Sequence, residues 1–433
     1  MFTHPFRRLT PVVVAVTVLL AGTACGEERP RIGDGPYAEL VGEFVPKIEQ
    51  ALGVPFKSPP VVESRTREEV AAFVRQQLDS DRAKAQLAGQ EALYKILGII
   101  PDTMNLAPML QRLLEEQIVG YYDPKTKVLY IVDGSPSLML RQTVSHELVH
   151  ALQDQYLAID SIQAATDDAD RQLAAQAVIE GQAVFLQLRL DASAGPMLKM
   201  PGGWDRLRDM IREGSSGMPV FASAPRAVRE GLLFPYMGGA DFVRRFINVR
   251  PETALFADLP KSTKQLLHDS AYFGASRDDP TRVSLPEPRT GSVQFTNTFG
   301  EFETRLALVQ HLKVDARAND GASGLDGDRV ALIRTSAGDA VVWASVWDSS
   351  VDAADFLDAV CDAIRRRYEM AKPDVAPGAT ERRLDVAAGR TWKARTVTAV
   401  LREVEGRPLV LVTDAPAGVP LPLVDPGRVT LGR

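Results

Sequence analysis

Two histidines four residues apart, His146 and His150, enclose a glutamate in the run His146-Glu147-Leu148-Val149-His150. On a helix this spacing stacks both imidazoles on one face, one turn above the other. Both can then reach a single metal ion, and Glu147 between them falls beside the ion's open position. Two ligands and a general base are the parts that hydrolysis by a metal-activated water requires. The chain has 433 residues and only five histidines, so an accidental match is rare. The competing reading is a solvated helix that happens to spell these letters.

The flanking residues 138–156 contain no Pro or Gly, and Leu140, Val144, Leu148, Ala151 and Leu152 recur at helical spacing. Ser135 or Ser137 can cap the start. Upstream, 118–122 and 128–132 read as the two arms of a hairpin around the turn 123–127. A strand directly before the motif helix can lie along a cleft as a sheet edge, where an extended peptide would pair with it. A hairpin that merely packs under the helix fits the same letters.

A metal needs a third protein ligand. Asp154 stands two turns beyond His146, about 12 Å along the helix, too far for one ion to be shared. The segment 170–191 reads as a second helix with an apolar stripe of Leu173, Ala177, Val184 and Leu188. Glu180 falls inside that stripe, a lone carboxylate facing the core. Burying it is costly unless a cation compensates. Gly181 beside it would let this helix approach the motif helix closely. The alternative is a helix-edge glutamate that reaches solvent. A donor set of His146, His150 and Glu180 suits Zn2+, one per chain, better than calcium or magnesium.

His146-Glu147-x-x-His150 followed by a glutamate on a second helix, Glu180 in Ile-Glu-Gly-Gln-Ala, resembles the gluzincin branch of the zincin metallopeptidases. The wider phrases Val-Ser-His-Glu-Leu-Val-His-Ala-Leu-Gln-Asp-Gln and Val-Ile-Glu-Gly-Gln-Ala resemble a group of uncharacterised bacterial lipoproteins assigned to such peptidases. The metzincin extension is absent, because Gln153 and Tyr156 stand where it would place a Gly and a third His. The resemblance covers 118–190 closely and 230–275 loosely. It implies a zincin-like core, zinc on His146, His150 and Glu180, and Glu147 as the base. Such a zinc would lower the pKa of its water toward about 7, and Glu147 would carry the proton to the leaving amine. Several gluzincins carry an acid four residues after the third ligand. Here that place is Val184, so another group, with Asp154 the candidate, must orient the imidazoles. Gluzincin-type enzymes often use a His or Tyr to steady the oxyanion. His268 and Tyr272, four apart and after the third ligand, match in order, although a His and a Tyr packed at a helix end is the ordinary reading.

The N-terminus has the three regions of a signal peptide in residues 1–24: His4, Arg7 and Arg8, an apolar stretch from Val12 to Ala21, then Gly22-Thr-Ala. The apolar run is too short to span a membrane. Cys25 directly after small residues resembles a bacterial lipobox, which implies a lipidated Cys25 and a membrane anchor. Gly22 departs from the usual Leu, so ordinary cleavage after Ala24 stays open. The expectation is an exported lipoprotein facing the periplasm or the cell exterior, with 25–36 as a flexible tether. Residues 1–24 hold two arginines and no acid, so their removal moves the net charge from −6 to −8. An acidic balance without a basic tract argues against nucleic acid as a partner. Cys361, the only other cysteine, reads as core.

The fold class expected is α+β: a helical N-terminal region at 37–117, a mainly helical zincin-like catalytic core with a small edge sheet at 118–278, and an α+β module at 290–433. Residues 197–225, rich in Gly, Pro and Ser, read as a long loop that could cover the cleft. In the C-terminal module Trp343 and Trp347 lie on one strand face, as core or as a binding platform. The functional expectation is a membrane-tethered zinc metallopeptidase acting on a peptide or protein. A zinc hydrolase of non-peptide carbonyls and a non-catalytic binding or assembly lipoprotein on the same fold are the alternatives.

Overall fold

The computed structural model describes residues 37–157, 159, 168–371 and 378–432. Its architecture is α+β. Helices at Ala38–Leu52, Arg67–Leu78, Asp81–Ile96 and Leu106–Gln117 answer the apolar periodicity of the N-terminal region. Thr66 and Glu69 form a capping box, with Glu69 N donating to Thr66 Oγ1 at 3.2 Å and Thr66 N to Glu69 Oε2 at 2.8 Å. The strand Val61–Arg65 departs from the all-helical reading of this region. Pro59 and Pro60 stop any helix there, and the β-branched pair Val61-Val62 then suits an extended chain.

That strand pairs in parallel with Val128–Val132, which pairs antiparallel with Gly120–Asp123 across the hairpin. Val128–Val132 is therefore the middle strand, and the edge expected from it belongs to Gly120–Asp123. Val132 N donates to Val119 O at 2.8 Å. This phase turns the Tyr122 N–H away from the sheet. Above the sheet runs the motif helix, Ser137–Tyr156. Neither serine caps it: Pro136 is the cap residue, and Ser135 Oγ donates to Val132 O.

The second helix, Ala169–Leu190, starts at Asp168, whose side chain accepts from Arg171 N at 3.0 Å, and it is buried along nearly its whole length. It packs on the motif helix and on a third helix, Arg226–Val249. Gly181 does permit a close approach, but to this third helix. A Cβ on Gly181 would lie 2.1 Å from the Gly239 carbonyl carbon, and one on Gly239 would lie 1.9 Å from Ala177 O. Residues 197–225 are largely helical, not a long loop: Gly203–Ser216 and Pro219–Ser223 fold there. Gly202 takes φ 66° at the helix start, and Gly203 sits where a Cβ would meet Met197 O. Trp204 and Leu207 of this stretch pack with Val184 and Tyr236.

Beyond residue 280 lies a six-stranded antiparallel sheet in the order Ser292–Asn297, Leu325–Thr335, Gly338–Trp347, Arg407–Pro416, Arg395–Val404, Glu381–Val386. The helix Ser350–Arg367 packs on it. Trp343 and Trp347 are core: each packs on Phe356, and their indole N–H groups donate to Asp328 and Ser345. Cys361 is partly buried beside this core, and burial pushes its thiol up to about 12. One apolar cluster runs from Val70 through Val178 and Phe242 to Val412, so 280 marks a change of element type and not a gap in packing. Among the described residues no helix is long and apolar enough to cross a membrane.

Candidate metal centre

The motif helix and the second helix meet face to face, and the meeting point holds His146, Glu147, His150 and Glu180 with the buried amides of Gln153, Gln182 and Gln187 around them. His146, Glu147, His150 and Glu180 are at most 2 % exposed. His146 Nε2 and His150 Nε2 lie 3.0 Å apart, and Glu180 Oε2 is 3.3 Å from the first and 3.2 Å from the second. Three donor atoms on three residues thus form a nearly equilateral triangle. A tetrahedral zinc with bonds of about 2.0–2.1 Å has ligand-to-ligand edges of about 3.3–3.4 Å. The residues present fit such an ion, and two imidazole nitrogens with one carboxylate oxygen are a zinc-type donor set.

Charge points the same way. Glu147 and Glu180 are two carboxylates in one buried site, and two such charges are expensive without a cation. A divalent ion would neutralise both. Glu147 sits beside the triangle, its Oε1 3.9 Å from His146 Nε2, and its Oε2 accepts the Tyr122 backbone N–H at 2.9 Å. The outward phase of the edge strand is what makes that N–H available. Glu147 and the three donor atoms are therefore anchored by different elements, the sheet edge for Glu147 and the second helix for the histidines.

The groups that orient the imidazoles are glutamines. His146 Nδ1 is 3.1 Å from Gln187 Oε1, and His150 Nδ1 is 2.8 Å from Gln153 Oε1. Gln153 Nε2 donates to Ile179 O at 3.1 Å and to Gln182 Oε1 at 2.9 Å, which fixes the amide with its oxygen toward His150. An Nδ1 proton shared with that oxygen would leave the His150 Nε2 lone pair facing the triangle, and the Gln187 oxygen can do the same for His146. Asp154 does not take this part. It accepts from Tyr122 Oη at 2.7 Å and from Lys127 Nζ at 2.8 Å. Val184 packs in the apolar cluster with Trp204 and Tyr236, and the Tyr236 ring faces His146 with centroids 6.3 Å apart. Gln187 is seven residues after Glu180 and Gln153 three after His150. Those spacings put each amide on the same helix face as the residue before it, the one local signal the sequence offers for them.

His268 and Tyr272 do not share a helix face and do not contact this centre. His268 takes an extended backbone between the short helices Thr263–Leu267 and Asp269–Phe273, which breaks the four-residue spacing. Its Nε2 lies 2.5 Å from Glu301 Oε1, a hydrogen bond that holds its pKa above the usual histidine range. Tyr272 is buried among Phe242, Phe246 and Phe273 and donates its hydroxyl to Asp258 O. Cys25 lies outside the described residues. A second acidic group, Asp278, Asp326 and Asp348, is compensated by cations of the chain itself. Lys264 Nζ is 2.6 Å from Asp278 and from Asp348, and Arg407 is 2.7 Å from Asp326.

The matching family model is described as a domain of unknown function (DUF8575), and it covers residues 289–417. That span lies within the six-stranded sheet module and leaves the two-helix centre outside it. No curated protein and no solved structure matches the chain.

Proposed function

We propose that the chain is a zinc-dependent metallopeptidase with a zincin-like core of gluzincin type. The observation that carries this reading is the triangle of His146 Nε2, His150 Nε2 and Glu180 Oε2, with sides of 3.0–3.3 Å and a separately anchored glutamate beside it. A zinc ion held by these three groups supplies Lewis acidity, which polarises a carbonyl and lowers the pKa of water toward about 7. Glu147 accepts the proton of the attacking water and delivers it to the leaving nitrogen. The Tyr122 N–H keeps its carboxylate in place while it does so. Gln153 and Gln187 hold the imidazoles in one tautomer and one orientation. Gly120–Asp123 is the sheet edge beside the base, and an extended peptide is the substrate shape that such an edge accommodates.

Lipid attachment at Cys25, with export and tethering to a membrane surface, belongs to the same proposal and rests on the N-terminal sequence. The test measures metal content and peptide-library cleavage on the chain from Cys25 onward and on its Glu147→Gln variant. One zinc in both proteins with cleavage only in the wild type is the expected result. One zinc in both with cleavage in neither would turn the assignment to a non-peptide hydrolase or a non-catalytic zincin-fold protein. No stoichiometric metal in either would overturn it.

A further inference from the structure

A cleft of about 410 Å³ opens on the third helix, Arg226–Val249, away from the metal centre. Leu233, Phe234, Met237, Gly238 and Asp241 line it, at the spacing of one helix face. Gly239, on another face of this helix, meets the Glu180 helix. Phe234 stacks on Phe302 across the cleft floor, with ring centroids 3.9 Å apart. Arg305, on the helix Gly300–Leu312, lines the same cleft, its guanidinium carbon 5.4 Å from the Phe302 centroid.

Arg305 has no acid of its own. Its Nε is buried and lacks a hydrogen-bond partner. The two carboxylates that attract it, Glu230 and Asp315, are each taken by another arginine, Arg212 at 3.3 Å and Arg226 at 2.7 Å. Of the other acids of the wall, Asp241 pairs with Arg244 and Arg245, Glu301 meets His268 through Oε1 while its Oε2 is buried without a hydrogen-bond partner, and Asp320 is exposed. Among the described residues no carboxylate pairs with Arg305. Burial lowers its pKa, with the neighbouring Arg226 and Arg212 adding to the shift and Glu230 and Asp315 opposing it. A guanidinium fork held over an aromatic face, beside an apolar floor, matches a carboxylate attached to a flat apolar body.

We infer that this cleft is a binding site for a carboxylate carrying an aromatic or similarly flat apolar group, with Arg305 as its anion anchor and Phe234 and Phe302 as its floor. The same chemistry comes from a free organic acid or from the carboxyl end of a peptide that finishes in an aromatic residue. The site stands apart from the zinc ligands, so its occupancy does not depend on the metal reading.

Calorimetric titration of the full chain separates the two sources. Phenylacetate represents the free acid and N-acetyl-alanyl-phenylalanine the peptide terminus, each with its neutral amide as control. At least one acid is expected to saturate a single site, with its amide binding about 10- to 100-fold more weakly, the difference a charge-assisted pair makes. Arg305→Gln should lose affinity by the same factor while its melting temperature stays equal to or above that of the wild type. No binding of either acid would overturn the inference. So would equal binding by Arg305→Gln, or a fall in its melting temperature, which would mark Arg305 as a packing residue.

Discussion

Gln187 and His146 are joined by a contact of 3.1 Å between an amide oxygen and Nδ1, while Glu180, two turns earlier on the Gln187 helix, reaches Nε2 of the same ring at 3.3 Å. One helix therefore holds both nitrogens of one imidazole. The orientation of His146 depends on a helix that carries neither histidine. Gln187→Leu removes the acceptor and leaves the three proposed ligands. Zinc affinity, measured by competition with a chelator, should fall about 10- to 100-fold while one zinc still binds at saturation. An unchanged affinity would show that packing alone orients the ring.

Metal removal should act on stability as well as on activity, because the apo centre leaves Glu147 and Glu180 buried together. A ligand at about a thousand times its dissociation constant stabilises the native state by about 4 kcal/mol. Chelation should lower the melting temperature of the wild type accordingly. Glu180→Gln should bind zinc far more weakly and melt at nearly the same temperature with or without the chelator. A chelator-insensitive wild type would rule out a resident ion that contributes to folding.

The parts of this centre differ in how far the sequence shows them. His146, Glu147 and His150 are legible because a single helix places them, and helix spacing is local. Glu180 is legible because a carboxylate inside an apolar stripe is chemically anomalous. Gln153 and Gln187 are not conspicuous, since amides on a helix ordinarily read as surface. The strand Val61–Arg65 gains its reason from a parallel pairing with Val128–Val132, a contact far away in the chain that no local pattern announces. Gly, Pro and Ser between 197 and 225 spell a loop, yet Gly203 is there for a close approach within a helical stretch. In the same way Gly181 serves contact with Gly239, not with the motif helix. The α+β character follows from periodicity, whereas the identity of each glycine's neighbour does not.

That glycine contact carries its own prediction. A methyl group on Gly181 would stand 2.1 Å from the Gly239 carbonyl carbon, and backbone cannot rotate away as a side chain can. Gly181→Ala should destabilise the fold by about 1–3 kcal/mol or somewhat more, read as a lower denaturant midpoint at constant slope. Because Glu180 is the adjacent residue, zinc affinity should fall in the same variant. A drop in stability with undiminished zinc affinity would show that the two helices separate without shifting the carboxylate.

Glu303 links the N-terminal helices to the C-terminal module, its carboxylate accepting from Tyr94 Oη at 2.9 Å. Burial pushes its pKa from 4.5 up to about 8, with the Asp328 charge adding to the shift and the Tyr94 hydrogen bond opposing it. Between those two values the folded state keeps a proton that the unfolded state has released. Stability contributed by this group is therefore full below about pH 4.5 and declines as the pH rises toward about 8. Glu303 keeps some surface in solvent, so the loss should be on the order of 2 kcal/mol, well under full conversion of the shift at about 1.4 kcal/mol per unit. Glu303→Gln retains an acceptor for the Tyr94 hydroxyl and has no proton to lose. It should be more stable than the wild type at pH 8, with the advantage shrinking toward pH 5 in denaturant titrations. Equal stability of the two proteins across that range would place the Glu303 pKa near its ordinary value and remove this contribution.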